Sequence, residues 1–287
     1  MLDLYNKRVL ITGAAGGIGP HLARRFAQRG ARLVLSALPD SGVADVADDL
    51  RAAAVEADLT RAAEVERLAT AAVEALGGVD VLVNNAGVEM MRPFERLGGV
   101  ELATALAVNL AAPMQLTRLL LPAMLERRLG HVVNVASLAG KAAPAHMETY
   151  SATKAGLIAF TRSLRATYRG RGVSASVVCP GFVRAGGMYQ RAHESLGVTA
   201  PRLMGTTSPT AVADAAVRVV ERDLPEAIVN RGPVRLLVAA GELFPELGPW
   251  LLRRSGVEAM TAQWAAGLAA PADGTEVDAP PAGRSTR

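Results

Sequence analysis

The sequence predicts an α/β protein: a doubly wound parallel sheet of about seven strands with helices on both faces. Three observations predict it. Short, nearly all-apolar segments bounded by turns recur along the chain, most are followed by a longer segment of helix-like texture, and the strand candidates lack the alternation of a sheet with one wet face. With 287 residues, 50% of them hydrophobic and 20% charged, the chain can bury a sizeable core, which excludes a disordered protein. The one cysteine, Cys179, cannot form an internal bridge, and no basic leader precedes a cleavable apolar segment, so a reducing, cytoplasmic location is expected.

The elements follow in order. Residues 8–12 are the first strand, and a glycine cluster then opens a helix that ends near Gly30. The second strand is 32–36, a third ends before Asp58, and 61–76 carries the three-to-four residue periodicity of a surface helix. The fourth strand is 79–83, an apolar helix over 102–121 carries Asn109, and the fifth and sixth strands are 131–135 and 173–178. A helix at 210–222 and a strand at 226–230 complete a domain over 1–232. Residues 233–270 form a helical extension, with short helices at 234–243 and 248–254, packed on that domain or on a partner subunit. The segment 271–287 has no periodicity and is expected to be a disordered tail. The uncharged run 102–117 contains Asn109, Pro113 and Gln115 and falls short of a bilayer span, so no integral span is expected, although peripheral membrane contact by the leucine-rich extension stays open.

Charge excludes a nucleic-acid partner. The net charge is +4, but 31 basic residues are interleaved with 27 acidic ones and form no stripe. Only Lys7, Lys141 and Lys154 are lysines, which singles out each of them. His146 and His193 have no partner at metal-ligand spacing, so no metal is expected.

Thr12-Gly13-Ala14-Ala15-Gly16-Gly17-Ile18-Gly19 lies between a strand and a helix. Glycines there permit a tight turn, admit a pyrophosphate to the backbone and seat the helix close to the strand, and the helix N-terminus offers free N–H groups. The spacing Thr-Gly-x-x-x-Gly-x-Gly resembles that of the short-chain dehydrogenase/reductase family. Asn84-Asn85-Ala86-Gly87, Asn109, Ser137, Tyr150-Ser-Ala-Thr-Lys154 and Pro180-Gly181 follow in the family's order, so the resemblance covers roughly 7–230 and implies a Rossmann-like fold.

Tyr150 and Lys154 are four residues apart, so on a helix they share a face, and an ammonium beside a phenol favours the phenolate. The resemblance implies that Tyr150 passes the proton while a nicotinamide cofactor passes the hydride. It also implies that Lys154 bonds the nicotinamide ribose, that Ser137 holds the substrate oxygen and that Asn109 holds a water extending a proton relay. A purely structural amide is the alternative for Asn109, and a turn residue is the alternative for Ser137. By the same resemblance Gly13, Gly16, Gly17, Ile18, Gly19, Ser36, Asp58, Leu59, Asn85, Ala86, Gly87, Pro180, Gly181 and Val183 bind the cofactor, with Tyr150 and Lys154. Asp58 would meet the adenine, and it would equally suit capping the next helix. Asn84 is expected to be positional.

The pattern breaks in places. Ala37 and Leu38 stand where a carboxylate or an arginine chooses between NAD and NADP, and with nothing there to repel a phosphate the reading leans to NADP. Ala185 replaces a threonine that binds the carboxamide in relatives, and Pro20 suits the first turn of a helix. Segment 184–208 is read as an irregular, glycine-rich lid whose Met and Tyr side chains suit an apolar pocket. The expected function is NAD(P)-dependent interconversion of a secondary alcohol and a ketone on a small hydrophobic substrate by a homodimer or homotetramer. A nucleotide-binding regulator without turnover, and an epimerase or lyase on the same scaffold, are the alternatives.

Overall fold

The structure is a computed structural model that describes residues 2–202, 204–231 and 234–269; the expected tail at 271–287 lies outside the described residues. Seven strands, β1 (Arg8–Thr12), β2 (Arg32–Ala37), β3 (Ala53–Glu56), β4 (Val81–Asn84), β5 (Gly130–Val135), β6 (Val173–Pro180) and β7 (Glu226–Val229), make one parallel sheet in the order β3-β2-β1-β4-β5-β6-β7. The order reverses between β1 and β4, and the crevice at the carboxyl ends of those strands is where such sheets bind ligands.

The helices among the described residues are α1 (Gly19–Gln28), α2 (Val43–Leu50), α3 (Ala62–Leu76), α4 (Gly99–Leu106), α5 (Ala112–Glu126), α6 (Ala139–Ala142), α7 (Glu148–Thr167), α8 (Met188–Leu196), α9 (Pro209–Glu221), α10 (Val234–Leu243), α11 (Leu247–Ser255) and α12 (Val257–Ala269). Strand side chains alternate between two buried faces. Val9, Ile11 and Val133 pack with Leu22, Phe26 and Val212 of α1 and α9, while Leu10, Leu82 and Val132 pack with Leu68 and Leu116 of α3 and α5. Both faces are apolar for that reason, and each fully buried Leu or Ile contributes roughly 1.5–3 kcal/mol.

A π-helical turn, Ala107–Ala111, joins α4 to α5. The resulting helix, Gly99–Glu126, is long and apolar enough to cross a membrane by length and composition, contrary to the reading of 102–117 alone. Val108, Leu116, Leu120 and Met124 nevertheless bury one side of it against the sheet and α3.

Two segments differ from expectation. Within 184–208 the chain forms α8, because Tyr189, Ala192 and Leu196 recur at helical spacing while His193, Glu194 and Ser195 face outward and hide the pattern. The carboxy-terminal extension holds a third helix, α12, besides the two expected, and α12 packs on α8.

Candidate functional site

The glycine turn is stitched to the end of β4. Thr12 Oγ1 accepts hydrogen bonds from the N–H groups of Asn85 and Ala86, both at 3.1 Å, and Asn85 Nδ2 donates to the carbonyls of Thr12 and Gly13. Gly13 has φ +63°, and a Cβ there would lie 2.7 Å from Ala86 Cα, so only glycine fits. A Cβ on Gly19 would lie 2.1 Å from the Gly13 carbonyl oxygen; this glycine seats α1 against the turn.

Above the turn opens a cavity of about 660 Å³. Gly13, Gly16, Gly17, Ile18, Ser36, Asp58, Leu59, Asn85, Ala86, Gly87, Gly181 and Val183 line it, as does Ser137. Gly19 and Pro180 do not; they support the turn and the end of β6 from behind. Asp58 does not cap α3, whose N-cap is Arg61. Instead its Oδ1 accepts from the N–H and hydroxyl of Thr60, two bonds that hold the Asp58 carboxyl below its usual range.

Asn109, Tyr150 and Lys154 form a buried layer behind Ser137 and Gly87 rather than the lining itself. Gly87 leaves room for them: a Cβ there would stand 3.3 Å from both Asn109 Oδ1 and Lys154 Nζ. Gly140 of α6 lets that helix lie on α7, since its Cβ would sit 2.6 Å from the Lys154 carbonyl carbon. Lys154 Nζ donates to the Val135 carbonyl at 3.1 Å and lies 5.6 Å from the centre of the Tyr150 ring.

The electrostatics differ from what the spacing of Tyr150 and Lys154 implies. Burial pushes the Tyr150 phenol well above its ordinary value, the Glu89 carboxyl adds to the rise, and a hydrogen bond with Ser137 opposes it. Burial also lowers Lys154 to about 8. In the free protein, then, desolvation outweighs any pull of the ammonium on the phenol, and Tyr150 keeps its proton.

Asn109 is fully buried, and its amide is spent on protein partners. Its Oδ1 accepts from Val88 N–H and its Nδ2 donates to the Val88 carbonyl, both at 2.8 Å, with a further bond to Thr153 Oγ1. The π turn aims this side chain, which clamps the loop that follows Gly87. Asn84 donates to Asn134 Oδ1 between adjacent strands, which suits a positional role.

The wall opposite the glycine turn comes from scattered elements: Met147 before α7, Met188 and Tyr189 of α8, Leu252 of α11 and Val257 and Trp264 of α12. Residues 182–184 pair with Thr207 and pin the two ends of segment 184–208 together, and Gly186 and Gly187 approach the backbone of Gly17 across the cleft. Glu89, Arg191 and Trp264 of this cavity were not found from the sequence. The one signal for Glu89 is an acid inside the otherwise apolar run after Gly87.

The residues present fit a nicotinamide dinucleotide. The Gly13 turn is a cradle that a Cβ would fill, and Ser36, at the far end of the same cavity, has a buried Oγ with no partner among the described residues.

The family model for short chain dehydrogenase matches residues 7–196. The chain is 39% identical over 267 residues to a ketoacyl reductase, HetN, of Nostoc sp., covering 90% of this chain and 92% of that one. It is 34% identical to the 3-oxoacyl-[acyl-carrier-protein] reductase FabG of Vibrio cholerae over 63% of this chain and 75% of the relative. It is also 34% identical to a D-beta-hydroxybutyrate dehydrogenase of Cupriavidus necator, over 63% of this chain and 72% of the relative.

Proposed function

The chain belongs to the short-chain dehydrogenase family and is an oxidoreductase acting on CH–OH groups, and from that premise we propose that it interconverts a small apolar ketone and its secondary alcohol with NAD(P). One observation carries the reading: Ser137, in the wall of a cavity that runs on to the glycine turn, is backed by the buried Tyr150 and Lys154.

A bound nicotinamide dinucleotide supplies the hydride for the carbonyl carbon, or takes it from the alcohol. The chain's own residues do the rest. Ser137 and Tyr150 hold the substrate oxygen, and as negative charge builds on that oxygen the Tyr150 hydroxyl delivers its proton. The raised phenol suits this, because it arrives protonated at neutral pH. Lys154, still largely charged at neutral pH, offsets the phenolate left behind. Asn109 serves by fixing Val88 and with it the wall beside the reacting centre. Gly13, Gly16, Gly17 and Ile18 would receive the pyrophosphate, and Ser36, Asp58 and Leu59 the adenosine.

A preference for NADP is part of the proposal, because Ala37 and Leu38 line the adenosine end and bring no carboxylate to it. Met147, Met188 and Trp264 support an apolar substrate, and the names of the ketoacyl and hydroxybutyrate relatives suggest an acyl-derived one. Leu106 and Met114 stand exposed on the α4–α5 helix, which supports assembly as a homodimer or homotetramer, measurable by light scattering.

The test follows nicotinamide absorbance on mixing the protein with NADPH or NADH and a panel of β-keto esters and dialkyl ketones. Consumption with at least one ketone, faster with NADPH, is expected. Nucleotide binding without consumption across the panel would overturn the reading in favour of a regulator.

A further inference from the structure

Glu89 is the one acidic side chain on the substrate side of the cavity among the described residues. It follows Val88, whose N–H and carbonyl are both held by the Asn109 amide, so its backbone is aimed rather than free. Its Oε1 is sealed from solvent and has no hydrogen-bond partner among the described residues. An unpartnered carboxyl oxygen within apolar walls is unfavourable until something bonds to it, and such groups in native proteins call for an explanation. Glu89 as a whole is only partly buried and lines the cavity together with Met147, Tyr189 and Trp264, so the residue presents its open side to that space.

We propose that Glu89 reads the substrate: its carboxyl donates a hydrogen bond to a second oxygen lying close to the reacting carbonyl, which selects β-keto esters or thioesters, and their β-hydroxy products, over simple ketones and alcohols. This rests on the oxidoreductase reading above. Burial raises the Glu89 carboxyl to about 8, so at neutral pH it carries the proton it donates. The position of the second oxygen follows from the neighbours. Glu89 lies two residues after Gly87, which stands directly against Lys154 Nζ and Asn109, so a ligand oxygen on Glu89 lies near the carbon that Tyr150 serves rather than at the far end of an acyl chain. Arg191 of α8 is the strongest counter-charge acting on Glu89, yet no hydrogen bond joins them, which leaves the carboxyl to a ligand instead of locking it in an ion pair.

The test needs no turnover. Calorimetric titration of the protein with the reduced nucleotide present compares the methyl ester of a β-hydroxy fatty acid with the secondary alcohol of equal length that lacks the ester group. One hydrogen bond is worth about tenfold in affinity, and the wild type is expected to prefer the ester by about that factor. Glu89→Leu should abolish the preference and leave the plain alcohol bound as before, while Glu89→Gln, which still donates, keeps most of it. No preference in the wild type, or the same preference in Glu89→Leu, overturns the proposal. Equal weakening of both ligands in both variants also overturns it, because Glu89 would then be holding α8 through Arg191. Selective binding in a protein that reduces no ketone supports the assignment of Glu89 and sinks the oxidoreductase reading instead.

Discussion

The two ends of the cleft are built from different materials. At the nucleotide end the wall is mostly backbone: Gly13, Gly16 and Gly17, the carbonyls that Asn85 ties down, and an N–H pair on Thr12. At the substrate end it is side chains, drawn from the loop after β4 and from α8, α11 and α12, segments scattered between residues 88 and 264. Backbone tolerates almost no substitution but recognises what every nucleotide shares. Side chains can be exchanged one at a time, and the choice of substrate resides there. The residues proposed to carry the chemistry sit between the two, on α7 and just after β5.

The largest effect is expected where the ends meet. Removing the phenol hydroxyl in Tyr150→Phe should lower kcat by about 10²–10⁴-fold and leave the Kd for nucleotide within about twofold, because proton transfer is lost and the cradle is not. Steady-state kinetics with nucleotide titration checks this; an undiminished kcat would remove Tyr150 from the chemistry. Next comes the cradle. In Gly13→Ala the positive φ and the contact with Ala86 should cost about 2–4 kcal/mol, seen as a lower Tm and weaker nucleotide binding. Unchanged nucleotide affinity in that variant would mean that the turn is not the pyrophosphate site.

The sheet beneath both ends offers a third test. His131 on β5 is buried against the Ser176 hydroxyl, and burial lowers its pKa from 6.5 to about 4. Below pH 6.5 the unfolded chain therefore binds a proton that the folded protein refuses, and stability falls as pH drops from 6.5 towards 4. This one group accounts for about 3 kcal/mol of that loss. Urea unfolding at neutral and mildly acid pH should show the slope, and His131→Gln should flatten it; equal slopes would mean that His131 is protonated in the fold. The smallest effect belongs to the substrate wall. Trp264→Ala should raise substrate KM roughly three- to tenfold, about the worth of one apolar contact, with nucleotide Kd unmoved. A matching loss of nucleotide affinity would erase the division between the two ends.

The same division explains what could be read from the chain alone. Gly13 was legible because a left-handed turn against Ala86 admits one residue type, and Tyr150 and Lys154 were legible because their four-residue spacing survives any surroundings. The strands were legible because both their faces are buried, which forces apolar runs. The helix α8 was not, since its buried stripe of Tyr189 and Ala192 is narrow and the helix is flanked by glycines. Nor was α12, whose Ala and Gly residues dilute the periodicity around Met260 and Trp264. Glu89 and the raised phenol were illegible for a deeper reason. Both depend on burial, which is created by elements remote in sequence, and the spacing of Tyr150 and Lys154 carries no record of it.

The most direct test of the account is a structure of the protein crystallised with NADP. The adenosine should lie against Ser36 and Asp58, the pyrophosphate over Gly13–Ile18, and the nicotinamide ring beside Tyr150 and Ser137, with Glu89 facing the space left beyond it. A nucleotide lying the other way round, or a ring remote from the Tyr150 hydroxyl, would contradict it.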